Sequence, residues 1–276
     1  MSEPVIIARS NISLAWAHAF LAVYGGRIST TTPLVVSAGD FDGSSTPEEE
    51  TIRQAVDEAL ASADKLSCKM NADLIFPQSQ WKRSRTLGRS EFFNRYVNDY
   101  YPRLRARDKR RNGKGTYFLR MIAWGLPTND EYAPEPINQL EHVISMYQDR
   151  ANHGMRPRTS ALQIACFDPD RDHTRAARSI FPCLQQLGFV YGSANSLVLN
   201  AYYPSQYIFD RAYGNYLGLS HLGMFVAGEL GLKFRRLTCF IGSPKLGDVK
   251  RGTLRPLAAQ LTDIASQTRP VGAGCQ

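Results

Sequence analysis

Cys183, which directly follows Pro182, is the residue of this sequence best suited to covalent chemistry. A cysteine thiolate is a strong nucleophile, and nearby arginine side chains would favour the thiolate by lowering the thiol pKa. An apolar strand, a polar corner and a second strand follow the cysteine, and the chain then enters a turn rich in Ser, Asn and Tyr that leads to Asn215. The competing interpretation is a cysteine buried as a small apolar side chain.

Short strands and amphipathic helices must position this cysteine. The segments PVIIA, PLVVSAG, ALQIACF, NSLVLNAYY and RLTCFIG are predicted strands. Helices are predicted from Leu14 to Tyr24 with Ser13 as N-cap, after a capping box of Thr46 and Glu49, from Thr174, and around YLGLSHLGMFVAGELGL. No repeat or linker divides the chain, so we predict an α/β (α+β) fold in which helices flank a mixed β-sheet, with residues 1–276 as a single domain.

The order of motifs around the cysteine resembles the thymidylate synthase family. In that family a Pro-Cys nucleophile precedes a strand, an Arg-Ser turn and an Asn that opens a long buried helix, which is similar to PCLQQLGFVYGSANSLVLNAYYPSQYIFDRAYGN. Three upstream stretches resemble family segments in the same order: SLAWAHAFLAVYGGR, YFLRMIAWGLPTNDEYAPEPINQLEHVISMYQDR and MRPRTSALQIACFDPD. The resemblance implies a thymidylate synthase-like fold over most of the chain.

The resemblance also implies a reaction. Cys183 would add to C6 of a pyrimidine nucleotide, and C5 would then attack a one-carbon unit carried by methylene-tetrahydrofolate, as in a methylase or hydroxymethylase. Glu91 would be the acid that organises water and protons near the pyrimidine carbonyl. The other implied residues bind substrate, and they are Tyr117, Asn215, Ser205, Arg27, Arg156, Arg158 and Lys245. No metal is expected.

Each substrate-binding residue takes its role from a family motif. Asn215 would bind the pyrimidine edge, and Ser205 would touch the nucleotide phosphate. Arg27 stands near the phosphate-loop Arg, whereas Arg156 and Arg158 stand near the twin Arg that the family donates to a neighbouring subunit. The resemblance therefore implies a homodimer.

Several positions depart from the family pattern. Pro204 replaces the phosphate-binding Arg, Tyr207 replaces an Asp, and Leu184 follows the cysteine where His is usual. The segment from Ser243 to Lys245 replaces the motif that holds the sugar. Proline supplies neither the charge nor the planar geometry of a guanidinium group. These changes therefore predict either a divergent member that acts on a different nucleotide or base, or a relative that kept the fold and changed the reaction.

The run from Arg103 to Lys114 holds seven basic residues and one acid, and the resemblance does not explain it. It favours an alternative function, in which the fold is reused as a nucleotide or nucleic-acid binding module without C5 chemistry. The other interpretations of the run are a solvated loop and a phosphate-binding patch. The formal charge of +8 over 276 residues likewise indicates an anionic partner.

Cysteine usage and hydropathy indicate the setting. The five cysteines form no C-x-x-C pair, so the sequence predicts neither a disulfide framework nor a Cys-type zinc site. A reducing cytoplasm is the expected location. No apolar run is long enough for a membrane span, so no membrane partner is expected.

Overall fold

The computed structural model describes residues 3–42, 46–125, 135–173, 182–193 and 195–267. Its strands form one mixed sheet of six. In chain order they are β1 (Val5–Arg9), β2 (Leu34–Ala38), β3 (Gln163–Ala165), β4 (Gln186–Gly192), β5 (Ser196–Tyr207) and β6 (Lys233–Lys245).

The sheet order β1-β2-β6-β5-β4-β3 places the two longest strands, β5 and β6, side by side at its centre. These two strands run parallel, as do β1 and β2, whereas the remaining neighbours are antiparallel. Because β5 and β6 are parallel, their carboxyl ends meet at one edge, where Ser205 pairs with Ser243 and Tyr207 with Lys245.

Helices account for most of the remaining described chain. They are α1 (Ile12–Tyr24), α2 (Glu50–Ser62), α3 (Cys68–Asp73), α4 (Gln78–Ser84), α5 (Gly88–Arg95), α6 (Tyr101–Arg107), α7 (Lys109–Asn112), α8 (Tyr117–Ile122), α9 (Gln139–Asn152), α10 (Pro169–Asp172), α11 (Tyr213–Glu229) and α12 (Arg255–Gln267). Two π-helical turns interrupt the α-helical geometry: Tyr96–Tyr100 joins α5 to α6, and Ile208–Ala212 leads into α11.

Only one face of the sheet is well buried. Inward residues such as Ile7 and Leu199 belong to one continuous hydrophobic core with residues of α1 and α11. On the opposite face Ile6 is 72% exposed, Tyr202 39% and Phe240 41%. The rings of Tyr202 and Phe240 stack with centroids 5.7 Å apart. The described strands therefore leave an aromatic and aliphatic surface open to solvent, which we call the open sheet face.

Helices α11 and α3 approach very closely because glycines lie between them. A Cβ atom on Gly214 would lie 2.4 Å from Asn71 Cβ and 2.6 Å from the Cys68 carbonyl oxygen. A Cβ atom on Gly218 would lie 2.6 Å from the Ala72 carbonyl oxygen. Such distances leave no room for a methyl group, so the spacing of these glycines by four residues sets the helix contact.

The fold class is confirmed: a six-stranded mixed sheet with flanking helices is the predicted α/β (α+β) arrangement. Two predicted helix starts are wrong. Asn11, not Ser13, caps α1 by accepting a hydrogen bond from the Leu14 backbone, and α2 begins at Glu50 without a side-chain cap. The Ser13 hydroxyl instead contacts the Tyr213 hydroxyl and accepts a bond from the Glu49 backbone. The helix predicted from Thr174 lies outside the described residues.

No helix within the described ranges combines the length and the apolar character needed to cross a membrane.

Candidate functional site

A pocket of about 520 Å³ opens at the edge where β5 and β6 end. Ligands of α/β proteins commonly bind beside the carboxyl ends of parallel strands. We call it the Cys183 pocket, and the residues that line it are Lys65, Asn71, Leu74, Asn112, Lys114, Gly115, Thr116, Tyr117, Arg120, Pro182, Cys183, Ser205, Gln206, Tyr207, Asp210, Arg211, Asn215, Lys245 and Asp248.

Five residues predicted from the sequence meet in this pocket. Cys183 precedes β4, Tyr117 begins α8, Ser205 lies near the end of β5, Asn215 lies in the first turn of α11, and Lys245 ends β6. They come from five separate elements between positions 117 and 245. Their convergence depends on the tertiary fold, since no local segment brings them together.

The other four predicted site residues do not line the Cys183 pocket. Glu91 lies on α5 and forms a surface ion pair with Arg95 at 2.6 Å, so its position gives no support to the predicted role as the acid at the pyrimidine. Arg27 is exposed beyond α1. Arg156 and Arg158 are also exposed, and the Arg156 guanidinium lies 5.3 Å from the centre of the Tyr191 ring.

Cys183 is held at the pocket surface by Tyr117. The Tyr117 hydroxyl oxygen accepts hydrogen bonds from the backbone N–H groups of Cys183, at 3.1 Å, and Leu184, at 3.4 Å. The thiol is accessible, although protein atoms surround much of it. This desolvation raises the pKa of the Cys183 thiol, whereas the positive charges of Arg211 and Lys245 act to lower it. Desolvation outweighs the two cations, so the pKa is raised and the thiol is favoured over the thiolate.

Arg211 is a pocket cation that the sequence motifs do not reveal. Its guanidinium donates to the side-chain oxygen of Asn71 at 2.5 Å. Asn71 is itself buried, and its amide donates to the carbonyl oxygens of Leu66 and Asp210. Pro204 is the one sequence signal that could have led to it, because it stands where the family that the sequence resembles has a phosphate-binding arginine. Arg211 follows Pro204 by only seven residues.

Arg120 forms a rigid part of the pocket wall. Its guanidinium makes a two-pronged ion pair with the buried carboxylate of Asp172, with N–O distances of 2.5 and 2.9 Å. It also donates to the backbone oxygens of Cys166 and Lys114. Burial disfavours the charge on Asp172, but the hydrogen bonds from Arg120 lower the pKa of that carboxyl below its usual value. Arg120 is therefore a fixed structural cation.

Asp210 brings a partly unsatisfied carboxylate to the pocket. One oxygen lies 3.2 Å from the Lys65 ammonium group, and the other finds no hydrogen-bond partner among the described residues. Gly247, in a left-handed backbone conformation with φ of 144°, lies against that second oxygen. A buried acceptor without a partner is costly, so this oxygen is suited to receive a proton or a donor from a ligand.

The buried side-chain amides of Gln206 and Asn215 lie close to Asp210 in the sequence. Gln206 accepts a hydrogen bond from the Tyr216 hydroxyl at 3.1 Å, while its amide nitrogen finds no partner within the described part of the chain. Asn215 is also buried and lines the same pocket. Amide groups of this kind can read the carbonyl and N–H pattern along the edge of a pyrimidine.

The charges in the pocket favour an anionic ligand. Its described cations are Lys65, Lys114, Arg120, Arg211 and Lys245, and its described acids are Asp210 and Asp248. Arg120 is neutralised by Asp172 and Lys65 pairs with Asp210, so the remaining cations still outnumber the remaining acid. Within the described ranges, Lys114 and Lys245 form no ion pair, and no group of three or more His, Cys, Asp or Glu side chains is placed to hold a metal ion. A thiol, two amides and a cationic rim can together hold a phosphorylated heterocycle.

Comparison with known proteins adds no family assignment. No protein-family model matches the chain, and no curated protein sequence matches it significantly.

Proposed function

We propose that the protein transfers a one-carbon group, methyl or hydroxymethyl, to C5 of a pyrimidine nucleotide through a covalent adduct of Cys183 at C6. One observation carries this proposal. Of the nine site residues that the family resemblance implies, five (Tyr117, Cys183, Ser205, Asn215 and Lys245) line a single pocket of ligand size. The thymidylate synthase-like assignment and a cytoplasmic location are parts of the same proposal.

In the proposed reaction the Cys183 thiolate forms a bond to C6. The C5–C6 double bond breaks, and its electron pair moves to C5, where conjugation with the C4 carbonyl stabilises it. C5 would then bond to the one-carbon group, and the C5 proton would leave as the bond between that group and its carrier breaks. Addition of hydride or hydroxide to the one-carbon group would re-form the C5–C6 double bond as the bond from sulfur to C6 breaks. Asp210 is the proposed acceptor of the C5 proton, because it lines the pocket and one of its carboxylate oxygens has no hydrogen-bond partner among the described residues.

Methylene-tetrahydrofolate, implied by the resemblance, would supply the carbon, with a hydride for methylation or with water completing hydroxymethylation. Tyr207 suits such a donor, because its ring is 41% exposed at the pocket, where it can stack on a flat heterocycle. Lys245 pairs with Tyr207 across the two strands and can attract a carboxylate.

Arg211 is the proposed phosphate ligand, in place of the arginine that the family pattern has where this chain has Pro204. Arg211 is oriented by the buried Asn71, so it is fixed before a ligand arrives. Lys245 and Lys114 add charge on the same pocket, and Ser205 adds a hydroxyl. The buried amides of Gln206 and Asn215 are the proposed source of pyrimidine selectivity.

The test is incubation with methylene-tetrahydrofolate and each pyrimidine monophosphate, followed by mass spectrometry of products and of the intact protein. We expect a product that is heavier by a methyl or hydroxymethyl group, and loss of turnover in Cys183→Ala with nucleotide binding retained. Lys250→Gln, a charge loss outside the Cys183 pocket, is the control and should turn over normally. No C5 product from any pyrimidine nucleotide would refute the transferase.

The raised thiol pKa supports a second candidate, a binding module without C5 chemistry. A thiol that stays protonated is a poor nucleophile, so the pocket would then bind a nucleotide and leave it unchanged. This module would also use the basic run Arg103–Lys114 for nucleic acid. Titration of a labelled single-stranded oligonucleotide at two salt concentrations distinguishes a module that binds nucleic acid from one that binds only a nucleotide. Contacts to nucleic-acid phosphates weaken steeply with salt.

We propose a homodimer that associates through the open sheet face. Large apolar side chains such as Ile6, Tyr202 and Phe240 are exposed there, and contiguous apolar surface commonly marks an interface. Arg156 and Arg158 lie outside their own pocket, as residues donated to a partner would. Sedimentation of the wild type and of Phe240→Glu tests the interface: we expect a dimer that the substitution dissociates, with Lys250→Glu as the control.

A further inference from the structure

A second cavity, of about 340 Å³, lies between α4 and the continuous helical segment from α5 to α6. Its lining residues are Gln80, Arg83, Ser84, Phe92, Arg95, Tyr96, Asp99, Tyr100, Arg103, Leu104 and Arg107. None of them lines the Cys183 pocket. We call this cavity the arginine cleft, after Arg83, Arg95, Arg103 and Arg107.

The arginines reach one cavity because of their spacing. Arg95, Asp99, Arg103 and Arg107 follow one another at intervals of four residues, so successive members lie on neighbouring turns of the helical segment. Arg83 faces them from the end of α4. Two residues of the basic run, Arg103 and Arg107, thus line the cleft. Arg83 and Arg95 lie outside the run in the sequence but line the same cleft.

Most of this charge has no protein counterion. Arg95 pairs with Glu91, but Arg83, Arg103 and Arg107 form no ion pair with any described residue. Among the described residues of the lining, Asp99 is the only acid. Like charges that share a cavity repel one another, so an anion bound between them would offset a cost that the folded protein otherwise carries.

We propose that the arginine cleft binds a compact oligophosphate group, two or three linked phosphates, as a site separate from the Cys183 pocket. Guanidinium groups match phosphate oxygens in pairs, and several around one cavity suit a chain of phosphates. The Tyr100 hydroxyl is a further donor. The proposal does not depend on the proposed reaction.

The size and the aromatic content of the cleft favour this ligand over a nucleic-acid strand. Its volume is that of a small-molecule site. Strand-binding grooves present exposed aromatic rings on which bases stack. Here Phe92 and Tyr96 are buried and Tyr100 is half-buried, so none of the lining rings is a free stacking platform.

The two cavities share a wall, which the test must take into account. The Tyr96 hydroxyl, on the cleft side, lies 2.7 Å from the Thr116 hydroxyl, on the pocket side. Asn112 likewise lines the pocket and donates to the carbonyl oxygen of Leu104, which lines the cleft. The test must therefore use substitutions to distinguish an anion bound in the arginine cleft from one bound in the Cys183 pocket.

Isothermal titration with tripolyphosphate tests the proposal. We expect Arg103→Gln/Arg107→Gln and, separately, Arg83→Gln to weaken binding by roughly tenfold or more, because each removes a charge-assisted hydrogen bond. Two controls should bind like the wild type: Arg85→Gln, an equal charge loss on an exposed neighbour outside both cavities, and Lys245→Gln, in the other pocket. Thermal unfolding verifies that each variant folds.

Three outcomes would overturn the assignment. They are no binding of tripolyphosphate to the wild type, equal weakening in Arg85→Gln, and weakening by Lys245→Gln but not by the cleft substitutions. A single-stranded oligonucleotide of about 12 nucleotides is the competing probe. If it binds more tightly than tripolyphosphate and its binding is abolished in Arg103→Gln/Arg107→Gln, the cleft is a nucleic-acid contact. A negative result for tripolyphosphate would not count against the proposed C5 reaction, since that reaction is tested separately by detection of its product.

Discussion

The Cys183 pocket and the arginine cleft are both cationic, but they hold their charges in opposite ways. In the pocket, Arg120 is fixed by Asp172 and Arg211 by Asn71, two buried partners. In the cleft, Arg103 and other arginines are exposed and are positioned mainly by the helical segment that carries them. Under the two proposals, the pocket would therefore be preorganised for the shape of one ligand, whereas the cleft would select charge.

The largest expected effect follows from breaking the fixed pair in the pocket wall. Asp172→Asn leaves the buried Arg120 guanidinium without its counterion, which should lower the free energy of unfolding by about 3–5 kcal/mol. Asp99→Asn, the matching change in the cleft, should stay within about 0.5 kcal/mol. Urea unfolding measures both. Similar small changes in the two variants would remove the contrast between fixed and exposed charges.

The same pair predicts the response to acid. Burial opposes ionisation of Asp172, yet the hydrogen bonds from Arg120 leave its pKa lowered in the folded protein. Its stabilising contribution is therefore present above the ordinary pKa of about 4 and is lost as pH falls through the folded value. Urea unfolding across that acidic range should show a steeper loss of stability in the wild type than in Asp172→Asn. Parallel curves would contradict this account.

A smaller effect should follow from widening the contact between α3 and α11. Gly214→Ala forces a methyl group against Asn71 and should cost about 1–3 kcal/mol. Because Asn71 orients Arg211, the variant should also bind a nucleotide monophosphate more weakly while tripolyphosphate binding in the cleft is unchanged. Gly228→Ala, on the same helix with open space around it, should be neutral or stabilising. Equal costs for both would argue against a close contact.

Titrating each ligand into variants of both cavities tests whether the two sites are separate. The expected change in binding free energy is similar to or smaller than the effect of Gly214→Ala. Arg211→Gln should weaken binding of a pyrimidine monophosphate by roughly tenfold and leave tripolyphosphate binding unaffected, because it removes one charged donor from one cavity only. Arg103→Gln should show the reverse. Titration of both ligands into both variants gives the four values. If either substitution weakens both ligands equally, the two cavities are one binding surface.

The smallest expected effect concerns the reactivity of Cys183. Arg211 and Lys245 lower the pKa of a thiol that desolvation raises, so Arg211→Gln and Lys245→Gln should each raise it further. Alkylation at neutral pH should then slow, since less thiolate is present. Peptide mapping must resolve Cys183 from Cys275, which lies outside the described residues. Lys250→Gln is the control, and an unchanged rate in all three would exclude this electrostatic influence.

Sequence patterns predict the individual strands and helices better than they predict which distant residues meet in the folded protein. The strand around Leu199 and the buried helix after Asn215 are predicted from their apolar composition and length, and the fold class follows from the order of such elements. Cys183 and Lys245 are predicted through motif order, but their meeting depends on the parallel pairing of β5 and β6. Glu91 is predicted from motif resemblance alone, and the structure gives it a surface partner instead.

The residues that sequence reasoning misses share a physical cause. Asp210 and Arg211 contribute to the pocket through the π-helical turn, whose phase differs from that of an α-helix. Arg120 and Asp172 are far apart in the chain and meet only in the folded core. The segment DPDRDH has the composition of a solvated loop, whereas Asp168 caps α10 and Asp172 neutralises an arginine. These roles depend on three-dimensional neighbours and have no periodic signature.

Because Ile208–Ala212 is a π-helical turn, deleting one residue from it could change which side chains line the Cys183 pocket. A helix of this kind holds one more residue per turn than an ordinary α-helix needs, so deleting one residue can restore α-helical phase without unravelling α11. Such a deletion would rotate the preceding side chains by roughly 100° about the axis. Asp210 and Arg211 would exchange positions with their neighbours at the pocket, whereas the buried Asn215 follows the turn, on α11. A single deletion in this turn would therefore replace two charged groups of the pocket wall at once.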